Sequence, residues 1–454
     1  MTCSYLCRSR LSHFSVACKN APIPLFLRFV YAFLRIIVWM ALRVFYRRRL
    51  VLGREHFRFD GPAIVIANHP STLMDVLNPA LEICQEMFFL ANYGLFRHPV
   101  SRWLLERLFC IPVMRPEDMR PGETRDNTRA FEAVFEHLAR RGVLFIAPEG
   151  TSWMHRFVRP LKTGTARMAL GAEAQNAWQL GVKVIPVGLS YSAPHRFRSD
   201  VVVQAGLPLW VAQWREAWEA DPSAAVESMT QHLESCLRKL SLDARDEQGE
   251  QALEQWEALL HGEEQLPQKA AFERLQQWLH RHLSDDRLVQ QTLIYRRLLG
   301  EARLPDMALS SRCRKGVLRR RLALIAGLPL FALGGAFYFL PCFLPYWINR
   351  RLDLYVGYSA TVMITAGIVV FPLYGWAILC LLRGAGLSAL AALSFLGVLF
   401  GLGPFVEWYL TALGLERARV QARRYAKRAP TAYAQLLQLR ASLCAQLGLH
   451  KGDG

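Results

Sequence analysis

Acidic residues are missing from the start of the chain, where no Asp or Glu precedes Glu55. The opening segment therefore carries only positive charge, interleaved with long apolar stretches. Over the whole chain, 55 lysines and arginines against 37 acidic residues give a formal charge of +18, which favours an anionic partner. Because the basic clusters flank apolar runs and no nucleic-acid-binding motif is present, we predict contact with anionic lipids and not with nucleic acid.

Other absences narrow the class of protein further. The ten cysteines form no C-x-x-C pair and have no matching His-x-x-x-His, so no metal site is predicted and we expect reduced thiols in a cytosol-facing protein. The G-x-S-x-G elbow of many hydrolases is also absent. No small-residue cleavage site follows a compact apolar core at the start, so a secretory signal is not expected.

Apolar residues are abundant, at 52% of the chain, which indicates membrane contact. Residues 24–46 are long enough to span a bilayer, but Arg28, Arg35 and Arg43 fall on one side of a helix. This pattern predicts an amphipathic helix in the membrane interface with its arginines toward lipid phosphates. A tilted spanning helix is the alternative.

Three uncharged runs, 322–348, 354–382 and 384–406, each exceed the roughly 20 residues that a membrane-spanning helix needs. The basic stretches 312–321 and 416–428 on either side predict that both ends are cytoplasmic, which requires an even number of crossings. The runs contain almost no ionisable residues, which argues against a transporter.

The first of these runs is the one that we expect not to span. Pro329, Pro341, Pro345 and the pair Gly334-Gly335 are expected to break a helix there. The prediction is a re-entrant first run followed by a two-helix hairpin that turns near Arg383.

Short β-rich runs alternate with amphipathic helical patterns between residues 50 and 210, which predicts an α/β fold around a buried sheet. The predicted strands are Ala63 to Ala67, Cys110 to Met114, Val143 to Ala147 and Val182 to Val187, and residues 122–141 are predicted to be helical. The division expected along the chain is a basic N-terminal segment with a membrane helix (1–49), an α/β domain (50–210), a helical extension (211–311), a membrane region (312–415) and a basic cytoplasmic C-terminal helix (416–454).

Polar residues follow the first predicted strand, where α/β domains place active sites. His69 is suited to proton abstraction near neutral pH, and Asp75 lies close enough along a helix to orient its ring. Taken alone, a His and an Asp at this spacing more often indicate a surface histidine beside a helix cap.

A second polar cluster follows the strand Val143 to Ala147. Gly150 lets a ligand approach the backbone, while Thr151 and Lys162 suit a phosphate group. Arg115, at the end of another strand, also suits a phosphate monoester. Glu149 either binds substrate or pairs with a nearby arginine, and Arg115 and Lys162 are also compatible with simple solvation.

The order and spacing of four blocks resemble the glycerolipid acyltransferase family. The blocks are Asn68 to Asp75, Phe109 to Arg115, Pro148 to Ser152 and Val184 to Gly188. Five residues rather than the usual four separate His69 from Asp75, and Ser152 replaces the usual Arg. Both departures, with the stretch 160–174, resemble the fungal-type glycerol-3-phosphate and dihydroxyacetone-phosphate acyltransferases and their bacterial relatives.

The resemblance implies a mixed central sheet flanked by helices and a reaction without a cofactor. His69 would act as the base and Asp75 as its orienter, while Arg115, Glu149, Gly150, Thr151 and Lys162 would bind the acceptor. The donor would be acyl-CoA or acyl carrier protein, and the acceptor glycerol 3-phosphate. The expected location is a membrane, with the catalytic domain on the cytoplasmic side and the bacterial cytoplasmic membrane favoured over the endoplasmic reticulum.

Three alternatives stay open at this stage. The same blocks serve acyl transfer to lysophosphatidic acid or another lysophospholipid, which an acceptor panel separates. A thioester hydrolase would use water in place of the alcohol. A non-enzymatic membrane protein would depend on the C-terminal helices alone.

Overall fold

The computed structural model describes residues 25–96, 98–99, 103, 105, 109–114 and 127–449. Within this part of the chain, eight strands form one sheet. Their bounds are Arg48–Leu52 (β1), Ala63–Ala67 (β2), Met87–Asn92 (β3), Cys110–Val113 (β4), Val143–Ile146 (β5), Lys183–Tyr191 (β6), Asp200–Ala205 (β7) and Leu209–Trp210 (β8).

The strand order is β1-β7-β6-β2-β5-β3-β4, with β8 beside β6. Neighbours are parallel except that β6 is antiparallel to β7 and to β8, so the sheet is mixed. The expected α/β class with a mixed sheet is therefore confirmed. The four predicted strands are present as β2, β4, β5 and β6, while β1, β3, β7 and β8 were not predicted.

Helices cover both faces of the sheet because the central strands are apolar on both sides. In β2, Val65 packs with one core and Ile64 and Ile66 pack with the other, as the alternation of side chains along a strand requires. The first core includes helices α1 (Leu25–Phe45) and α2 (Leu73–Ala80). The second includes α3 (Thr128–Ala139), α4 (Gly164–Gln175) and, after the short α5 (Arg215–Ala220), α6 (Pro222–Leu240).

The predicted helix over 122–141 corresponds to α3, and residues 122–126 lie outside the described residues. Val134 and Leu138 are fully buried, and Phe131 and Phe135 pack against the same core. The apolar face read from the sequence therefore faces the sheet.

The helical extension shares a core with the C-terminal helices. Trp256 and Leu443 lie together in one buried cluster, and the Arg440 guanidinium pairs with Asp306 at 3.0 Å across it. The helices that follow the α/β domain are α7 (Glu247–Glu263), α8 (Gln268–His282), α9 (Asp286–Ala302), α10 (Ser311–Arg314), α11 (Val317–Leu352), α12 (Ser359–Gly384), α13 (Ala389–Gly401), α14 (Gly403–Arg428) and α15 (Pro430–Gln446).

In the described part of the chain, four segments are long and apolar enough to cross a membrane, judged by length and composition. They are Leu25–Phe45, Val317–Leu352, Val356–Gly384 and Ala389–Arg428. The last contains two helices, α13 and α14, which meet at Leu402. The turn between α12 and α13 lies at residues 385–388, where the hairpin was expected, and its sidedness stays a prediction.

The expected break in the first apolar run is wrong. Residues Val317–Leu352 form one helix, α11, which contains all three prolines. Proline is tolerated in such helices because neighbouring helices and local adjustments satisfy the freed carbonyls. Gly334 serves packing instead of a break, because an added Cβ would lie 2.7 Å from Val406 Cγ2 on α14.

The arginines of α1 also depart from expectation. Arg35 donates to the carbonyls of Ile83 at 2.7 Å and Leu81 at 2.8 Å, just beyond α2, and Arg28 pairs with Glu86 at 3.0 Å. These two side chains therefore bind the α/β domain and not lipid phosphates. A cation is favourable there because the last carbonyls of a helix lack partners within it. The exposed side of α1 is instead apolar, with Phe26, Phe29, Phe33, Ile36 and Met40 at helical spacing.

Arg35→Ala should lower the free energy of unfolding by about 2 kcal/mol, because it removes charge-assisted, partly buried hydrogen bonds to two carbonyls. Arg43→Ala is the matched control, since Arg43 lies exposed on the same helix. Thermal unfolding of the purified protein in detergent measures both. Equal destabilisation by the two changes would contradict the assignment.

Candidate active site

Two loops form the candidate site at the edge of the sheet where the carboxyl ends of the central strands β2 and β5 lie. Strands β2 and β5 are parallel neighbours, so the loops that leave their carboxyl ends lie side by side. The loop after β2, which we call the histidine loop, carries Asn68 to Thr72. The loop after β5 carries Pro148 to Trp153. Both polar clusters singled out in the sequence therefore meet at this edge.

His69 and Asp75 lie in direct contact. His69 Nδ1 is 3.0 Å from Asp75 Oδ2, the Asp75 side chain is fully buried, and the His69 side chain is 18% exposed. A carboxylate only accepts hydrogen bonds, so Nδ1 carries the proton and Nε2 keeps a free lone pair. The structure thus brings together the two residues that the sequence analysis assigned to base and orienter.

The Asp75 carboxyl is held by three donors. Besides His69, the Ser71 backbone N–H donates at 2.6 Å and the Tyr191 hydroxyl at 2.7 Å. Burial raises the pKa of Asp75 above its usual range, and these hydrogen bonds oppose that shift. The carboxyl group is thereby fixed in one position behind the histidine ring.

Tyr191 was missed by the sequence analysis, and so was the role of Asn68. The Asn68 side chain donates to the Leu189 carbonyl at 2.9 Å and accepts from its N–H at 2.7 Å, which ties the histidine loop to β6. The fourth block pointed to this strand, but it ended before Tyr191 and gave no reason to extend it.

Glu149 binds the histidine loop directly. Its Oε1 accepts a hydrogen bond from the His69 backbone N–H at 3.0 Å, and the residue is 8% exposed. Burial raises the pKa of this carboxyl to about 7, although the hydrogen bond from His69 lowers it. The predicted alternatives were a substrate contact and a pairing with a nearby arginine side chain. The partner in the structure is the backbone amide of His69, and a contact of Glu149 with substrate stays a prediction.

Ser152 and Trp153 add two more links between the loops. Ser152 Oγ accepts from the Thr72 N–H at 3.2 Å, and the Trp153 N–H donates to the His69 carbonyl at 3.2 Å. The serine that replaces the family's usual arginine is therefore a loop-to-loop contact. These links hold the backbone of His69 from both sides.

Gly150 and Lys162 lie against each other beside these loops. Gly150 has a φ of +77°, and an added Cβ would lie 2.8 Å from the outer carbons and Nζ of Lys162. The Lys162 side chain thus passes over the glycine, and its role in phosphate binding stays a prediction. Thr151 lies half-buried in the same loop.

A second cation, which was given no role from the sequence, lies near the site. The Arg159 guanidinium lies over the Trp153 ring at 4.6 Å from its centroid. Arg115 lies outside the described residues, and its role stays a prediction. The strand before it, β4, is at the edge of the sheet, two strands from β5.

The membrane region also reaches the site, which the sequence analysis did not foresee. Thr72 Oγ1 is 2.6 Å from Thr361 Oγ1 on α12. Thr72 has a φ of +48°, a strained conformation for a β-branched residue. A strained residue between His69 and Asp75 is therefore held by a contact from α12.

Comparisons with known proteins agree with these observations. Residues 48–190 match the family model described as Acyltransferase. Two yeast proteins from Saccharomyces cerevisiae are similar: Glycerol-3-phosphate O-acyltransferase 2, 35% identical over 125 residues, and Glycerol-3-phosphate O-acyltransferase 1, 34% identical over 115 residues. These matches cover 27% and 25% of this chain.

The chain spans less than a fifth of the length of these relatives, 17% of the first and 15% of the second. Among solved structures, the 1-acyl-sn-glycerophosphate (LPA) acyltransferase from Thermotoga maritima is 19% identical with a TM-score of 0.35, over 47% of this chain and 78% of that one. This structural likeness is too low to carry an argument. The resemblance to glycerolipid acyltransferases of the fungal type is confirmed by the family match and the yeast relatives.

Glu149 predicts a pH dependence of stability. A carboxyl whose folded-state pKa is raised from 4.5 to about 7 contributes stability that is present at low pH and is lost as the pH rises through that window. The loss should approach about 3 kcal/mol. Glu149→Gln keeps the acceptor oxygen but cannot titrate, so its thermal midpoint should vary less across the window. An equal slope for both proteins would contradict the assignment.

Proposed function

We propose that the chain transfers a fatty acyl group from an acyl thioester to glycerol 3-phosphate, because residues 48–190 match the acyltransferase family model. The observation that carries the proposal is the contact of the partly exposed His69 ring with the buried Asp75 carboxyl at 3.0 Å. A neutral imidazole in that position is a general base with its second nitrogen available to substrate.

In the proposed reaction, His69 Nε2 removes the proton from the acceptor hydroxyl as its oxygen attacks the thioester carbonyl. A C–O bond forms, and the resulting tetrahedral intermediate expels the thiolate as the C–S bond breaks. The proton held by His69 then passes to the leaving sulfur, which regenerates the base. The thioester supplies the activated acyl group, so we propose no cofactor.

Asp75 acts on this cycle through His69. Its carboxylate keeps the proton on Nδ1 and stabilises the imidazolium that forms when Nε2 takes up the substrate proton. Tyr191 and the Ser71 N–H hold the carboxylate, at 2.7 Å and 2.6 Å. The ring is thus oriented before the substrate binds.

The acceptor phosphate would bind to the cations beside the histidine loop. Lys162 crosses Gly150 and Arg159 lies over Trp153, while Arg115 is proposed from the resemblance alone. The yeast relatives named as glycerol-3-phosphate acyltransferases support this acceptor over a lysophospholipid. Either acyl-CoA or acyl carrier protein would serve as donor.

We propose a membrane location with the α/β domain on the cytoplasmic side. The four apolar helical segments support a membrane protein, and the basic flanks of the apolar runs support the sidedness. The yeast relatives do not favour a bacterial membrane over the endoplasmic reticulum.

Radiolabelled glycerol 3-phosphate with an acyl-CoA tests the proposal, with lysophosphatidic acid as the competing acceptor. His69→Ala and His69→Asn should lower turnover by about 10² to 10⁴, the usual range for a general base. Asn is the sharper change because its amide can still donate to Asp75 while it lacks the basic nitrogen. His280→Ala, at an exposed position on α8, is the control and should retain activity.

Unchanged transfer by His69→Asn, with a thermal midpoint like that of the original protein, would contradict the role of His69. Transfer to lysophosphatidic acid without transfer to glycerol 3-phosphate would show that the acceptor is lysophosphatidic acid and not glycerol 3-phosphate. Thioester cleavage without a lipid product would indicate a hydrolase.

A further inference from the structure

Three exposed aromatic residues lie beside the histidine loop. We call Trp153, Tyr355 and Tyr358 the aromatic rim; they are 41%, 47% and 46% exposed. The Trp153 and Tyr355 ring centroids are 6.5 Å apart, and those of Tyr355 and Tyr358 are 6.4 Å apart. The rim is therefore one continuous surface, although its members come from opposite halves of the chain.

One end of the rim touches the candidate active site. The Trp153 N–H donates to the His69 carbonyl at 3.2 Å, and the next N–H, of Met154, donates to the Tyr355 hydroxyl at 3.3 Å. Because the Tyr355 ring is fixed to this loop, the rim begins at the residue proposed as the base.

The other end of the rim leads to the membrane helices. Tyr355 and Tyr358 lie in the short connection between α11 and α12, both candidate membrane spans. Leu352 at the end of α11 and Leu354 and Val356 in the same connection are also exposed, at 50%, 52% and 42%. Apolar side chains thus continue from the site to the start of a membrane segment.

Charge is arranged along the same line. The Arg159 guanidinium lies over the Trp153 ring, and Lys162 lies over Gly150 beside it. The site is therefore cationic next to His69 and apolar along the rim. A donor thioester has the same order, with a polar carrier, a reacting carbonyl and a long hydrocarbon chain.

We propose that the aromatic rim binds the acyl chain of the donor, so that its thioester carbonyl lies at His69. This inference rests on the proposed acyl transfer and assigns part of the donor site to the connection between α11 and α12. The membrane region then takes part in substrate binding besides anchoring the protein. The competing use of such residues is as interfacial anchors that contact bilayer lipid alone.

Donor chain length separates these two uses. The ratio of kcat/KM for palmitoyl-CoA to that for butyryl-CoA should fall about tenfold or more in Tyr355→Ala. The palmitoyl chain extends along the rim past Tyr355, whereas the butyryl chain ends near His69, and each buried methylene contributes to binding. Tyr355→Phe keeps the ring and should preserve the ratio. Trp408→Ala removes an exposed aromatic residue from α14 and is the matched control.

A fall in kcat/KM by the same factor for both donors, or no change for either, would overturn the proposal, since a lipid anchor does not sense donor length. If the unaltered protein uses neither these CoA thioesters nor the corresponding acyl carrier protein thioesters, the proposed function itself fails. If it uses both but Tyr355→Ala leaves their ratio unmoved, only this inference fails.

A binding readout that needs no turnover accompanies the kinetics. His69→Asn protein is irradiated with an acyl-CoA that carries a diazirine on its chain, and the labelled peptides are mapped. Labelling at Trp153 or in 352–358, displaced by excess palmitoyl-CoA, supports the proposal. Labelling confined to other segments contradicts it.

Discussion

The buried carboxylate of Asp75 is the constraint on which the site depends. A carboxyl group with no exposed surface must be hydrogen-bonded, because desolvation of an unpaired charge costs several kcal/mol. Asp75 lies on α2, its partners His69 and Ser71 lie in the histidine loop, and its partner Tyr191 lies at the end of β6. The three elements must therefore meet around one carboxyl, and the position of the His69 ring follows from that requirement.

The backbone of the histidine loop is fixed by a second set of contacts. Glu149 accepts from the His69 N–H, Trp153 donates to the His69 carbonyl, and Ser152 accepts from the N–H of Thr72. Thr361 on α12, a candidate membrane span, then contacts Thr72. The His69 ring, the backbone of the histidine loop and α12 are thus coupled through adjacent residues. This coupling explains how the strained Thr72 is maintained between His69 and Asp75.

Short-range sequence patterns predicted strands and the polar loops that follow them, because neighbouring residues largely determine these features. The apolar runs of β2 and β5 and the polar residues after them placed His69, Asp75 and Glu149 at one edge of a parallel pair, as the structure has them. Contacts between distant segments left no such signal. Tyr191 lies beyond the motif that predicted β6, and Thr361 belongs to a candidate membrane span. The prolines and glycines of α11 led to a wrong prediction of a helix break. In an apolar helix prolines are tolerated, and a glycine can allow close packing, here with α14. The prediction that the arginines of α1 contact lipid phosphates was wrong for Arg28 and Arg35, because a basic stripe in the sequence does not indicate whether its partners are lipid or protein.

The central claim is that Asp75 holds His69 as the tautomer with its proton on Nδ1, which leaves Nε2 as the base. Nitrogen-15 NMR of histidine-labelled protein, with His69→Asn used to assign the signal, reads this tautomer directly in the neutral ring. We expect a protonated Nδ1 whose signal changes in Asp75→Asn, together with a proton-free Nε2. A neutral His69 that carries its proton on Nε2 would contradict it.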